Sequence, residues 1–135
     1  MISTAIFGKG LKSISTRGYT WTENGNPNDY STTPVVNVYH NLHFQDTVFN
    51  LGFNIIVGIL TKGLSIAWST ASGVATSLIN WHPEMRTLYY NEKQYNHKVT
   101  PFIYRMRVLR FYANKNYTDV VGEDSVQFGQ WFTSF

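Results

Sequence analysis

Polar and apolar residues alternate one by one along residues 35–44. Val36, Val38, His40, Leu42 and Phe44 fall on one face, and Val35, Asn37, Tyr39, Asn41 and His43 on the other. A period of two built from β-branched and aromatic residues predicts a half-buried antiparallel strand with Val38 turned to the core. The pattern then changes. From 46 to 80, small or polar residues recur at Thr47, Asn50, Asn54, Gly58, Thr61, Ser65, Ser69, Ser72, Thr76 and Asn80. Gaps of three and four trace a narrow polar stripe along an otherwise apolar helix. Lys62 is the only charge between Asp46 and Glu84.

One straight helix over that stretch would run to about 50 Å at 1.5 Å per residue, longer than a compact domain of this size. A break is therefore expected. Lys62-Gly63 offers a basic last turn followed by a glycine stop. The expectation is a helical hairpin over 46–61 and 64–80, with Asp46 capping the first helix and Ser65 the second. Trp81-His82-Pro83 ends it.

The flanks read as strands. A short strand is expected over 17–22, followed by the turn formers Glu23-Asn24-Gly25-Asn26-Pro27-Asn28-Asp29. Beyond the helices, 86–90 is rich in β-formers and 91–97 reads as a polar turn. Residues 99–112 read as a long strand, with Phe102, Tyr104, Met106 and Val108 on one face and Arg105 and Arg107 on the other. Shorter strands are expected at 117–121 and 125–128. These elements define an α+β fold, an apolar helical hairpin packed against antiparallel β-strands. A single domain over 1–135 would hold strands and loops in 1–45, helices in 46–80 and strands in 84–135.

The length of 135 residues suits one domain. Charged residues make up only 14%, well below the roughly 25% of an average soluble domain, so the surface must be hydrated by neutral hydrogen-bonding groups. There are no cysteines, which removes disulfides, zinc–thiolate sites and cysteine nucleophiles. Residues 1–14 show no basic start followed by a long apolar run, so a secreted protein would be a mature form or leave by another route. The net charge is +3. Lys9, Lys12 and Arg17 sit at the start, and a basic excess runs from Arg86 to Lys115. That layout favours anionic partners.

Motifs for catalysis are missing. There is no G-x-S-x-G, no P-loop and no G-x-G-x-x-G. His40 and His43 on one strand point to opposite faces and cannot share a metal. His82, Glu84 and His97 match no metal-ligand spacing. Glu84 and Glu92 could form a glycosidase-like pair only if the fold brought them together. No catalytic residue, metal or cofactor is expected, and the protein is read as a non-enzyme. Arg105, Arg107 and Arg110 interleave with Tyr104, Phe111 and Tyr112. Such a stripe suits base stacking and phosphate contact, an anionic lipid surface, or simply the solvated face of a strand. Lipid is the expected anionic partner, and nucleic acid is not.

The helical region has two readings. It is either a buried core or a conditional membrane element. A spanning helix needs about 20 mostly apolar residues, and the best window, 48–68, contains Asn50, Asn54, Lys62 and Ser65. Several copies facing their polar stripes inward, as a homo-oligomer, would lower that cost, and Gly52, Gly58, Gly63 and Gly73 would allow close packing. On this reading Phe49, Phe53, Ile56, Ile59, Leu60, Lys62, Leu64 and Trp68 meet the membrane.

The order of segments is a Thr/Asn/Tyr-rich start, the apolar centre NLGFNIIVGILTKGLSIAWSTASGVATSLINW and the tail TLYYNEKQYNHKVTPFIYRMRVLRFYANKNYTDVV. This layout resembles small secreted Gram-positive bacteriocin-like proteins, including geobacillin-like large bacteriocins. The resemblance implies a secreted antibacterial protein acting on bacterial membranes. The rival expectation is a non-enzymatic structural or interaction module, such as a phage virion or cell-surface component.

Overall fold

The computed structural model describes residues 17–133; Lys9 and Lys12 lie outside them. The architecture is α+β. Five antiparallel strands form one sheet: β1 (Arg17–Thr22), β2 (Val36–His43), β3 (Thr87–Asn96), β4 (Tyr104–Tyr112) and β5 (Ser125–Thr133). Their order across the sheet is β1-β5-β4-β3-β2. Three helices, α1 (Val48–Leu51), α2 (Phe53–Leu64) and α3 (Trp68–Trp81), lie between β2 and β3 in the chain.

The helical segment breaks at different points from those expected. Thr47, not Asp46, is the first cap, its side chain accepting from Asn50 N. Asp46 sits one residue earlier and accepts from Thr47 N and Asn50 Nδ2, and those two bonds hold its carboxyl below the ordinary range. Gly52, at φ 83°, adds a break between α1 and α2 that a side chain would strain. Lys62-Gly63 does not stop α2. The helix runs on to Leu64, and Ser65 takes the left-handed conformation as its C-cap rather than capping α3. The sheet explains this, because Arg107 and Gln127 donate to the Leu64 and Ser65 carbonyls. Side chains from another element replace the glycine stop.

The helices cover one face of the sheet. Along α3, Ala71, Val74, Ala75 and Leu78 recur at gaps of three and four and are fully buried. Together with Val48, Ile56 and Leu60 they form one cluster with Leu88 of β3 and Leu109 and Phe111 of β4. Gly122, at φ 70°, presses its backbone against Val74, and a Cβ there would come within 2.7 Å of that side chain. The opposite face is covered too. The segment 23–35 crosses it, and Tyr30 packs with Met106 and Phe128 in a second, smaller cluster. Beyond β4, Tyr117 turns back in a left-handed conformation at φ 57°. Its ring meets Tyr39, Tyr89 and Tyr112 at 4.5, 5.8 and 5.3 Å.

Three strand expectations need correction. Residues 91–97 are not a turn, because β3 runs unbroken to Asn96. Its polar residues are satisfied by neighbours; the buried Asn91 donates to Asn37 Oδ1 and to the Val38 carbonyl. The long strand begins at Tyr104 instead of 99, with a turn over 98–103. Residues 117–121 contribute an isolated bridge, Tyr112 to Val120, and no strand. The phase of β2 is as expected, but Val38 is 41% exposed because β2 is an edge strand and the helices do not reach this position.

Replacing Ile56 by Ala should therefore cost about 2–5 kcal/mol, as for a filled core site. Val38→Asp should not unfold the domain. It sets a carboxylate directly opposite Glu92 across the β2–β3 pair and should cost about 1 kcal/mol by like-charge repulsion. Urea unfolding of both variants checks the contrast.

Candidate functional site

The strand period decides where the arginines go. Arg105 and Arg107 share a face of β4 with Leu109 and Phe111, whereas Arg110 lies on the other. The three do not form one cationic surface. Arg107 is buried under the helices, with its side chain 12% exposed. Its Nε donates to Gln127 Oε1 at 2.9 Å and its NH2 to the Leu64 carbonyl at 2.7 Å. The guanidinium lies over the Trp21 ring, 4.5 Å from the centroid. Burial lowers its pKa to about 10 against the partial support of Glu92. Arg105 donates to Gln94 and stacks on Tyr19 at 5.1 Å. Arg110 is on the surface but makes a two-pronged pair with Asp124, both bonds 2.8 Å. That carboxylate raises its pKa.

Glu92 completes the polar centre under the helices. One carboxylate oxygen meets His40 Nε2 at 3.0 Å and the other accepts from Gln94 Nε2 at 2.8 Å. Arg107 stands 4.0 Å away. Burial, then the Glu92 charge, raises the Tyr90 pKa beside it. Both oxygens of Glu92 and most donors of Arg107 are thus engaged in holding elements together. Glu84 precedes β3 and Glu92 lies halfway along it, so the two are not paired there. His82 meets Asp119 at 3.5 Å, whereas His97 follows the other end of β3, about 30 Å away at roughly 3.3 Å per residue. Among the described residues, no three His, Asp or Glu side chains gather as a metal site.

The residues assigned to membrane contact divide in the same way. Ile56 and Leu60 are fully buried, so no bilayer touches them in this fold. Phe53, Ile59 and Leu64 are partly buried against the same core. Phe49 and Trp68 are exposed, and so is Lys62. Among the described residues, no helix is long and apolar enough to cross a membrane.

A different apolar surface stands at the far end of β3 and β4. In the turn 98–103, Val99 is 80% and Phe102 87% exposed. Ile103 and Tyr104 follow, and the Ile103 carbonyl accepts from Trp131 N at 2.6 Å. Trp131 in turn packs on Tyr19 at 5.0 Å. Lys98 adds an exposed cation, and its N–H donates to the Asp29 carbonyl. Sequence reading placed Phe102 on a strand face and missed this turn. The Thr100-Pro101 pair was the available signal, since proline disfavours a continuous central strand.

Beside that turn, the segment 23–35 and the sheet enclose an open cleft of about 370 Å³. Its walls come from Thr20 and Thr22 of β1, Gly129 and Gln130 of β5, Asn24 and Asp29 of the crossing segment, and His97 and Tyr104 at the turn's two ends. Gly25 lets the segment lie on the Phe128 ring, where a Cβ would come within 2.3 Å of the ring carbons. No protein-family model, curated protein or solved structure matches this chain.

Arg107→Ala would leave the Leu64 carbonyl and Gln127 Oε1 without their donor and Glu92 without its nearest guanidinium. The loss should be about 3–5 kcal/mol, as for breaking a buried ion pair. Arg110→Ala removes an exposed pair and should cost about 0–1 kcal/mol. Denaturant midpoints of the two variants measure the difference.

Proposed function

We propose that this is a secreted, bacteriocin-like, non-enzymatic antibacterial protein that acts at the anionic surface of bacterial membranes. The observation that carries the reading is the turn 98–103, which holds Val99 and Phe102 almost wholly in water. Isolated apolar side chains on a surface are ordinary. Two of them at the apex of a turn, with Ile103 beside them, are an apolar tip with no core to fill. Tyr104 and Trp131 stand behind it, and such rings favour the headgroup level of a bilayer. Lys98 and the net charge of +3 complement anionic lipid. In this reading the apolar helical hairpin of α2 and α3 is core, and the turn makes first contact. Phe49, Lys62 and Trp68 offer a second lipid-facing surface on the helical layer.

The test is co-sedimentation with vesicles, followed by dye release. The protein should bind phosphatidylglycerol vesicles more tightly than phosphatidylcholine vesicles, and less tightly as salt rises. Burying a Phe side chain is worth about 1.5–3 kcal/mol, so Phe102→Asp should weaken binding by about tenfold or more. The same substitution should leave the thermal melt within about 0.5 kcal/mol of the parent, as at other surface sites. A parent protein that binds neither lipid sinks the proposal and leaves an interaction module as the better account.

A further inference from the structure

The cleft beside the apolar turn has a lining that selects a ligand class. Its cavity of about 370 Å³ falls at the lower end of small-molecule sites. Among the described residues, its only charged side chain is Asp29. A carboxylate with no cation beside it among the described lining residues disfavours phosphate and carboxylate ligands, and a single acidic group is too few for a divalent cation. The remaining polar groups are neutral: Thr20, Asn24, Gln130 and His97 among them. Among the described residues, none of Thr20, Asn24, Asp29 and Gln130 forms a side-chain hydrogen bond with another. They offer donors and acceptors side by side, which is what a run of hydroxyls requires.

Two further features narrow the class. His97 Nδ1 accepts from Val99 N and Thr100 N, at 3.1 and 3.2 Å. With Nδ1 taken up as an acceptor, Nε2 is the ring nitrogen left to donate. Tyr104 keeps 37% of its surface exposed, and its ring is tilted beside His97 at 5.6 Å. An exposed aromatic face attracts polarised C–H groups through its negative quadrupole, and the apolar face of a pyranose presents such groups. Phe128 and Tyr30 supply a rigid floor, packed at 5.5 Å.

We infer that this cleft binds an uncharged sugar, and that at a membrane it takes the glycosyl headgroup of a glycolipid while Val99 and Phe102 enter the bilayer alongside. His97 and Tyr104 belong to the cleft and also bracket the turn 98–103, so the two surfaces adjoin at one end of the sheet. The lipid half of this inference rests on the membrane reading above; the sugar half does not.

The experiment has two arms with the full chain. In the first, vesicles of phosphatidylglycerol alone are compared with the same lipid containing glucosyl or galactosyl diacylglycerol. The glycolipid should raise binding at least fivefold. The double variant Asn24→Ala/Gln130→Ala should lose that increment and keep the binding to phosphatidylglycerol. In the second arm, methyl glucoside, methyl galactoside and N-acetylglucosamine are titrated in solution at millimolar concentration. One of them should shift the amide resonances of Gly25, Gly129 and Gln130, in the parent and equally in Phe102→Asp. Sugar-induced shifts without any vesicle binding overturn the membrane reading and with it the glycolipid source, and leave the sugar site standing. Vesicle binding with neither a glycolipid increment nor shifts from any of the three sugars overturns the sugar site and spares the membrane reading. An increment that survives in the double variant overturns the assignment to this cleft.

Discussion

A buried guanidinium is the constraint around which the rest is arranged. Taking a cation out of water costs several kcal/mol unless its donors and charge are met. Arg107 meets that demand from four directions: Gln127 on β5, Glu92 on β3, the Leu64 carbonyl at the end of α2 and the Trp21 ring on β1. A guanidinium suits this place better than an ammonium would, because its planar fork bonds in several directions and its face stacks on a ring. The helical layer, three strands and the edge strand β1 therefore depend on one side chain. Gln127 repeats the connection by donating to the Ser65 carbonyl.

This anchoring changes what the apolar helices can do. The link between α2 and α3 would be the leading tip of an inserting hairpin. Here it is held to the sheet by Arg107 and Gln127, and Ile66 within it is buried. Withdrawing the tip would expose Ile56, Leu60 and Val74 and take the Leu64 and Ser65 carbonyls away from Arg107 and Gln127. The turn 98–103 has no such ties to its apolar side chains. A surface contact that leaves the core intact can be made there at little conformational cost, and the same end of the sheet carries the polar cleft.

Much of the fold was legible because periodicity reports burial. The strand at β1, the alternation of β2 and the helical spacing of Ala71, Val74, Ala75 and Leu78 all follow from one covered face. What was not legible depended on distant partners. Residues 91–96 look like a turn because they are polar, yet Asn91, Glu92 and Gln94 are bonded by Asn37, His40 and their own neighbours. The phase of β4 was readable, with Arg105 and Arg107 opposite Met106 and Val108. The reading that this arginine face is solvated was not correct, because the same face carries Leu109 and Phe111 into the helix-covered core. Alternation alone cannot distinguish water from a second layer when both faces of a sheet are covered. Val38 fails in the opposite sense, as an apolar residue on an edge strand beyond the helices. The cleft was not legible either, since its walls come from residues about a hundred positions apart.

The pairing of β1 with β5 sets the order in which the molecule can assemble. Arg17 pairs with Thr133, and Thr22 with Phe128, so the first strand of the sheet waits for the last. During synthesis β2, the helices, β3 and β4 can collect as the chain emerges, but β1 has no neighbour until β5 is complete. Closing a loop that long is slow, because its entropy is lost before the contact repays it. Trp21 reaches Arg107 only through that final pairing, so the buried cation stays incompletely covered until then. A nascent chain of this topology keeps β1 unpaired, and one side of the guanidinium open to water, until β5 is made.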